Sequence, residues 1–295
     1  MHSSQYMRIS CALAGMFLFG GNVAHAQPAA ARIHLKISAD TQIVDSFTRW
    51  NAATPWEQVT QYSGSYVNRP TVDLVLELQA LKAGGLDFDF ELVATPNYER
   101  AKLEAVEGLV DLSAETIWDD EIAQNADSLS KSDVVLANGE FEKGVYTLPT
   151  NSKLLSITSL DELRQYVGVT VGTWALDVKT MESMKLKGVE RAIKIENVFL
   201  MIQKQRADFT LTEFSGTSDL SVENSGVTLV PVPNCKVAIA GSRSWVVSRK
   251  SPNSDAILTA LQKGIKILRA EGRIDRALKE SGFLNPKVSD WKRLF

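Results

Sequence analysis

Histidine is scarce in this chain: its 295 residues hold His2, His25 and His34 and no others. His2 and His25 lie in an N-terminal stretch with the pattern of a removable leader, and His34 stands inside an alternating apolar run, where a structural role is expected. A Ser-His-Asp triad or a histidine-built metal cluster therefore lacks its members. Two cysteines, Cys11 and Cys235, exclude a disulfide framework and a cysteine zinc site. No Gly-rich phosphate loop of either common type occurs. Carboxylates are plentiful, and a pair such as Asp119 and Glu213 would suit glycoside hydrolysis, but no spacing marks two of them out. What remains is a set of short polar segments in which aromatic rings stand beside carboxylates. They are Asp40; Asn97 and Tyr98; Glu115, Thr116 and Trp118; Thr173, Trp174 and Asp177; Glu213 and Phe214; and, further on, Arg243. Rings beside carboxylates suit a cationic, amine-bearing or ring-containing solute, through cation–π contact, stacking and charge-assisted hydrogen bonds. The chemistry expected of this set is binding, with no catalytic residue, cofactor or metal ligand assigned.

These segments follow elements that must hold them in place. Ile33, Leu35 and Ile37 alternate with polar residues as a first strand. Val72, Val75, Leu76 and Leu78 to Leu81 predict a helix over 71–83, closed by Gly84-Gly85. Phe88, Phe90 and Leu92 mark a second strand, 99–107 a helix ending at Gly108, and 109–114 a third strand. This βαβαβ succession predicts a parallel sheet with helices on its faces. A polar, acidic stretch over 115–133 breaks the pattern, and a second unit follows. It reads as a short helix at Asp161 capped by Thr158 or Ser159, a strand over 167–171, a helix over 197–205 and a strand over 208–212. Then come a strand over 244–248 and an amphipathic helix capped by Ser254, with Ile257, Leu258, Leu261, Ile265 and Leu268 on one stripe. A last helix over 273–280 is stopped by Gly282.

Composition bounds the function from outside. A 44% apolar content supplies one or two cored domains. The balance of 32 Lys+Arg against 35 Asp+Glu, with no basic run longer than two, argues against nucleic acid, whose binding needs a dense basic face. Residues 1–26 carry one cation, Arg8, an apolar run from Ile9 to Phe19 and the small-x-small triplet Ala24-His25-Ala26. That is the pattern of a secretory signal peptide cleaved before Gln27, and the run is well short of the roughly 20 apolar residues of a membrane-spanning helix. Cleavage would remove Cys11 and leave Cys235 as a buried small hydrophobe. The expected location is the periplasm, as a soluble protein.

The order of elements resembles the type-2 periplasmic solute-binding protein family, and within it the branch that binds amino acids and other small polar solutes. The resemblance covers about Ile33 to Phe283. It is carried by the helix-turn-Asp-strand steps at 108–114 and 206–211, by Ser159-Leu160-Asp161-Glu162-Leu163 before the strand 167–171, by Gly172-Thr173 after it, and by the helix pair running from Ala260 through Gly272 to Ile274. It implies an α/β fold of two lobes, each a mainly parallel sheet with flanking helices. The first lobe would take 27–136 and 241–295, the second 137–240, with hinge crossings near 134–138 and 240–243. It also implies a solute held between the lobes. The family's Thr-x-x-x-x-Arg step, whose Arg grips a ligand carboxylate, reads here Thr116-Ile-Trp118-Asp119-Asp120-Glu121. The Asp for the ligand amino group falls at Thr212 or Glu213. Both clamps of the ordinary amino-acid site are thus replaced, and acids at these steps favour a positively charged ligand.

The resulting expectation is a monomeric solute-binding protein serving an ABC-type membrane permease, with no nucleic-acid partner and no chemistry on the ligand. A sensory or accessory protein of the same fold, signalling to a membrane partner, is the alternative, and a carboxylate-dependent hydrolase is a remote one.

Overall fold

The alternation of Ile33, Leu35 and Ile37 becomes β1 (Ile33–Asp40), with Leu35 and Ile37 fully buried and Ile33 partly so. Asp40 ends it by capping α1 (Thr41–Ala53), its carboxylate accepting from the Gln42 amide at 2.7 Å. α2 (Arg69–Ala83) begins at Asn68, whose side chain caps Thr71, with Pro70 in the first turn. It is buried on all sides through Leu81, so it crosses the core rather than covering it. β2 (Phe88–Thr95) runs parallel to β1 in register from Ile33↔Phe88 to Asp40↔Thr95. α3 (Tyr98–Glu107) returns, capped by Asn97 and closed by Gly108 in the left-handed conformation. The third strand is shorter than expected, a two-residue β3 (Leu112–Ser113) parallel to β1. The computed structural model describes residues 32–295, so the expected signal peptide, 1–26, lies outside the described residues.

The acidic stretch read as a break is ordered. It holds β4 (Ile117–Trp118), α4 (Asp119–Gln124) and most of β5 (Leu129–Leu136). Its polarity misled because α4 places Asp119, Asp120 and Glu121 in its first turn, where acids suit the helix dipole. β5 pairs antiparallel with a strand much later in the chain, β12 (Arg243–Ser248), and β12 also pairs with β3 and β4. The first sheet is therefore parallel over β2-β1-β3, as expected, and antiparallel where β12 enters.

The chain passes to a second sheet between β5 and β6 (Glu142–Thr147). After a short α5 (Ser152–Leu155), Ser159 and Glu162 form a reciprocal capping box on α6 (Leu160–Leu163). β7 (Val167–Val171) lies where predicted, followed by α7 (Ala175–Ser183), β8 (Gly188–Ala192), α8 (Ile195–Gln203) and β9 (Thr210–Thr212). β7 and β8 are parallel, and a bridge from Gly168 to Phe209 sets β7 beside β9. The rest is antiparallel: β9 on β6, β6 on β11 (Val227–Ala238), and β11 on β10 (Val222–Asn224).

The chain returns to the first sheet between Ala238 and Arg243. α9 (Ser254–Ala270) has Asn253 at its N-cap position and Ser254 as its first residue, so the helix starts one place earlier than predicted. α9 crosses α2 at very short range. A Cβ on Gly264 would lie 1.8 Å from the Ala80 carbonyl oxygen, and one on Gly84 2.0 Å from that of Ala260, so both positions require glycine. α10 (Arg273–Glu280) follows. The tail does not stay with the first sheet, where the sequence boundary of 241–295 put it. Its β13 (Lys292–Arg293) adds parallel to β11, and Lys236 donates to the Val288 carbonyl at 2.8 Å. β13 lies on the edge of β11 away from β6, since Lys236 pairs with Gly144 of β6 and with Arg293 of β13.

Candidate functional site

The carboxyl ends of β1 and β2 and the start of β4 face the turns after β7, β8 and β9 across a cavity of about 740 Å³. Of the residues expected at the site, Asp40, Asn97, Tyr98, Glu115, Trp118, Thr173, Trp174, Asp177, Glu213 and Arg243 all line it. Two do not. Thr116 is fully buried behind the wall, where its amide and hydroxyl donate to one Asp73 oxygen at 3.2 and 2.8 Å. Phe214 turns into the second-lobe core, with ring centroids 6.2 Å from Tyr146 and 5.5 Å from Trp291, because burial rewards an aromatic ring there more than the cleft would.

The strongest feature of the site was not anticipated. Arg69 stands in the first turn of α2 and points its guanidinium across the cleft. Its Nη1 donates to Asp73 at 2.8 Å, Nη2 to Glu115 at 3.2 Å, and Nε to Glu213 of the opposite lobe at 2.9 Å. The rings of Phe141 and Phe283 lie 5.4 and 5.9 Å from its central carbon. Burial alone would lower the arginine pKa, but Glu213, Asp73 and Glu115 outweigh it and raise the value above that of ordinary arginine. Glu115 goes the same way for a different reason. Burial pushes its carboxyl above the usual range, and the nearby Arg69 and Arg243 only partly oppose this. The signal for Arg69 was present as Arg69, Asp73 and Glu77, a polar stripe at i, i+4 spacing on an otherwise apolar helix.

Lys143 was also missed, because β6 carries few apolar residues to announce a strand. It is buried, forms an ion pair with Asp177, and lies 5.1 Å from the Trp174 ring and 5.5 Å from Phe141. Asp177 is therefore committed to a protein cation rather than left free for a ligand.

Arg243 occupies a different environment. It is 4% exposed, its Nε donates to the Thr116 hydroxyl at 3.0 Å, and Nη2 bonds the Thr116 carbonyl. Trp118, Phe141 and Tyr98 surround it at 4.6, 5.3 and 5.6 Å. Among the described residues no carboxylate pairs with it and its Nη1 makes no hydrogen bond, so one edge of a buried guanidinium faces the cavity. The structure thus supplies a cation to a site where the local sequence shows only Glu121. That glutamate instead accepts from Tyr98 and Lys102, each at 2.9 Å. Elsewhere on the lining, Asp40 and Glu196 come from opposite lobes. Burial raises the Asp40 pKa and repulsion from Glu196 adds to it, while the bond from the Gln42 amide works against both.

Among the described residues no group of three or more His, Cys, Asp or Glu side chains is arranged to hold a metal. The acid pair weighed for hydrolysis is not a pair in space. Glu213 is held by Arg69, while Asp119 lies off the lining and accepts from Lys131 and Ser244 at 2.6 and 2.8 Å.

No protein-family model matches the chain, and no curated protein sequence matches it. Solved structures do. It is similar to the probable amino-acid ABC transporter extracellular-binding protein YtmK of Bacillus subtilis, at 12% identity over 85% of this chain and 97% of that one, with a TM-score of 0.57. It is similar to the VFT2 domain of Bordetella pertussis BvgS in a double-mutant form, at 13% identity over 88% and 93%, with a TM-score of 0.53. The GluR0 ligand-binding core of Nostoc punctiforme, solved with L-glutamate, matches at 15% identity over 84% and 98%, with a TM-score of 0.50. The chain has the two-lobed fold of type-2 periplasmic solute-binding domains.

Proposed function

We propose that this protein captures a small zwitterionic or amine-bearing solute between its lobes by hinge closure, for delivery to a membrane permease. The turns at Leu136–Glu142 and Ala238–Arg243 serve as the hinge, residues 1–26 direct export, and the protein works in the periplasm without chemistry on its ligand. One observation carries the reading: loops of both lobes line a single cavity that is charged at two places. Arg243 offers an unpaired guanidinium edge inside a cage of rings, and Asp40 and Glu196 bring carboxylates together from opposite lobes. An anion would find charge-assisted donors at the first place, and an ammonium group would relieve the repulsion at the second. The structural neighbours include an amino-acid transporter component and a glutamate-bound core, which supports a solute of this class.

A thermal-shift screen against amino acids, diamines, simple carboxylates, nucleosides and sugars tests this. A ligand at 100 times its Kd adds about 2.7 kcal/mol to stability. The expected hits carry an amine, and Arg243→Gln abolishes any preference for the carboxylate-bearing member of a matched pair. Binding confined to uncharged sugars would refute the solute class. The second reading, a sensory protein that passes closure to a membrane partner, draws support from the Arg69–Glu213 pair, which joins the lobes through side chains of the chain itself.

A further inference from the structure

The Arg69 side chain is bound as a ligand would be. Its guanidinium is 6% exposed and has three acids around one positive charge. Each of its three nitrogens donates to a different carboxylate, and two rings, Phe141 and Phe283, flank it. No structural need of the first lobe alone explains this set. Asp73 and Glu115 already hold two nitrogens from the first lobe, and the third arm, Nε to Glu213, reaches the turn after β9 in the second lobe. A buried charge in such a place is stable only with its partners assembled, so separating the lobes would strip Glu213 from Arg69 and leave an arm of each in want of a partner. The cavity of about 740 Å³ remains beside this cluster, with Arg69 and Glu213 on its lining.

We infer that Arg69 is an internal ligand: its guanidinium fills a guanidinium-binding site built jointly by Asp73 and Glu115 of the first lobe, Phe141 of the crossing segment, Phe283 after α10 and Glu213 of the second lobe, so the lobes close on a side chain of the chain itself. The closed form is then the resting state of the solute-free protein. The site accepts an alkylguanidinium in place of Arg69 when that side chain is cut away. This inference rests on the hinge part of the proposed function and not on any solute, so the two fail separately.

The test uses the solute-free protein, unfolded and refolded to strip any carried ligand, with spin labels on Thr48→Cys in α1 and Lys204→Cys after α8 in a Cys235→Ser background. Wild-type Arg69 and Glu213 should give one short interlobe distance. Glu213→Gln should move the population to a longer distance, lowering the closed-to-open ratio roughly 10- to 100-fold, the effect of one charge-assisted hydrogen bond. Arg69→Ala should open the cleft likewise, and millimolar methylguanidinium should restore the short distance where methylammonium and urea do not. A solute-free protein that is already open overturns the inference, as does Glu213→Gln with an unchanged distance distribution. Failure of methylguanidinium to reclose folded Arg69→Ala overturns the built site. If Arg69→Ala does not fold, the Glu213→Gln comparison decides alone, since among the described residues that side chain is the arm from the second lobe.

Discussion

Glu77 lies one turn beyond Asp73 on α2, is fully buried, and neither of its carboxyl oxygens has a hydrogen-bond partner among the described residues. Burial, with Asp73 beside it, raises its pKa well above the usual carboxylate range. The sign of its effect on stability follows. A carboxyl whose folded pKa is raised contributes stability that is fully present below its unfolded value near 4.5 and is lost as pH rises toward the folded value. Replacing it by methionine, of similar volume, removes both the titration and the unpaired polar atoms. An unsatisfied buried polar group costs about 1–3 kcal/mol even when neutral, so Glu77→Met should stabilise by about that amount at pH 5. The gap should then widen by at most about 1.4 kcal/mol per pH unit above pH 5 until the folded-state pKa is reached. Glu77→Gln should reproduce the pH-dependent part alone, because it cannot ionise but stays polar. Urea unfolding at pH 5, 6, 7 and 8 measures both. A Glu77→Met protein less stable than wild type at pH 8, or a gap that does not change with pH, would show that Glu77 is ionised and satisfied in the fold.

Gly264→Ala should destabilise by more than about 3 kcal/mol, read as a lowered melting temperature, because its Cβ would meet the Ala80 carbonyl at 1.8 Å and push α9 off α2. Lys143→Ala should cost about 3–5 kcal/mol by leaving the buried Asp177 uncompensated, and adding Asp177→Asn should recover part of that loss in denaturant melts. Trp174, half-buried at the cavity wall, should tolerate Ala with little change in melting temperature, while the ligand-induced change in fluorescence weakens or disappears. Unchanged solute affinity in that variant would move the site away from the second-lobe loops.

Local pattern made much of the fold legible. The strand alternation of Ile33 to Ile37, the helix stops at Gly108 and Gly282, and the Ser159–Glu162 capping box are each set by neighbours within a few positions, and they recur as elements. Elements with polar outer faces, such as β5, β6 and α4, were hidden, since each takes its stability from a distant partner strand or packing surface. The strand-end loops were legible for the same reason as the strands: where a strand ends, the next residues must face the sheet's carboxyl edge. That is why most of the aromatic and acidic residues picked from them share one cavity.

The sequence by itself determined which strand-end loops stand at the edge of that cavity, but not Arg69 of α2 or Lys143 of β6. Which charges meet there was decided only by the tertiary structure. Thr116 and Phe214, adjacent to lining residues, turned inward because burial competed for them. The acids at 119–121 suggested a site stripped of positive charge, yet Arg243, 122 residues after Glu121, packs on Thr116 and restores it. Arg69 and Glu213, 144 residues apart, form a hydrogen bond of 2.9 Å between the lobes. Electrostatic energy depends on separation in space and on exclusion of water, and neither is a property of sequence distance.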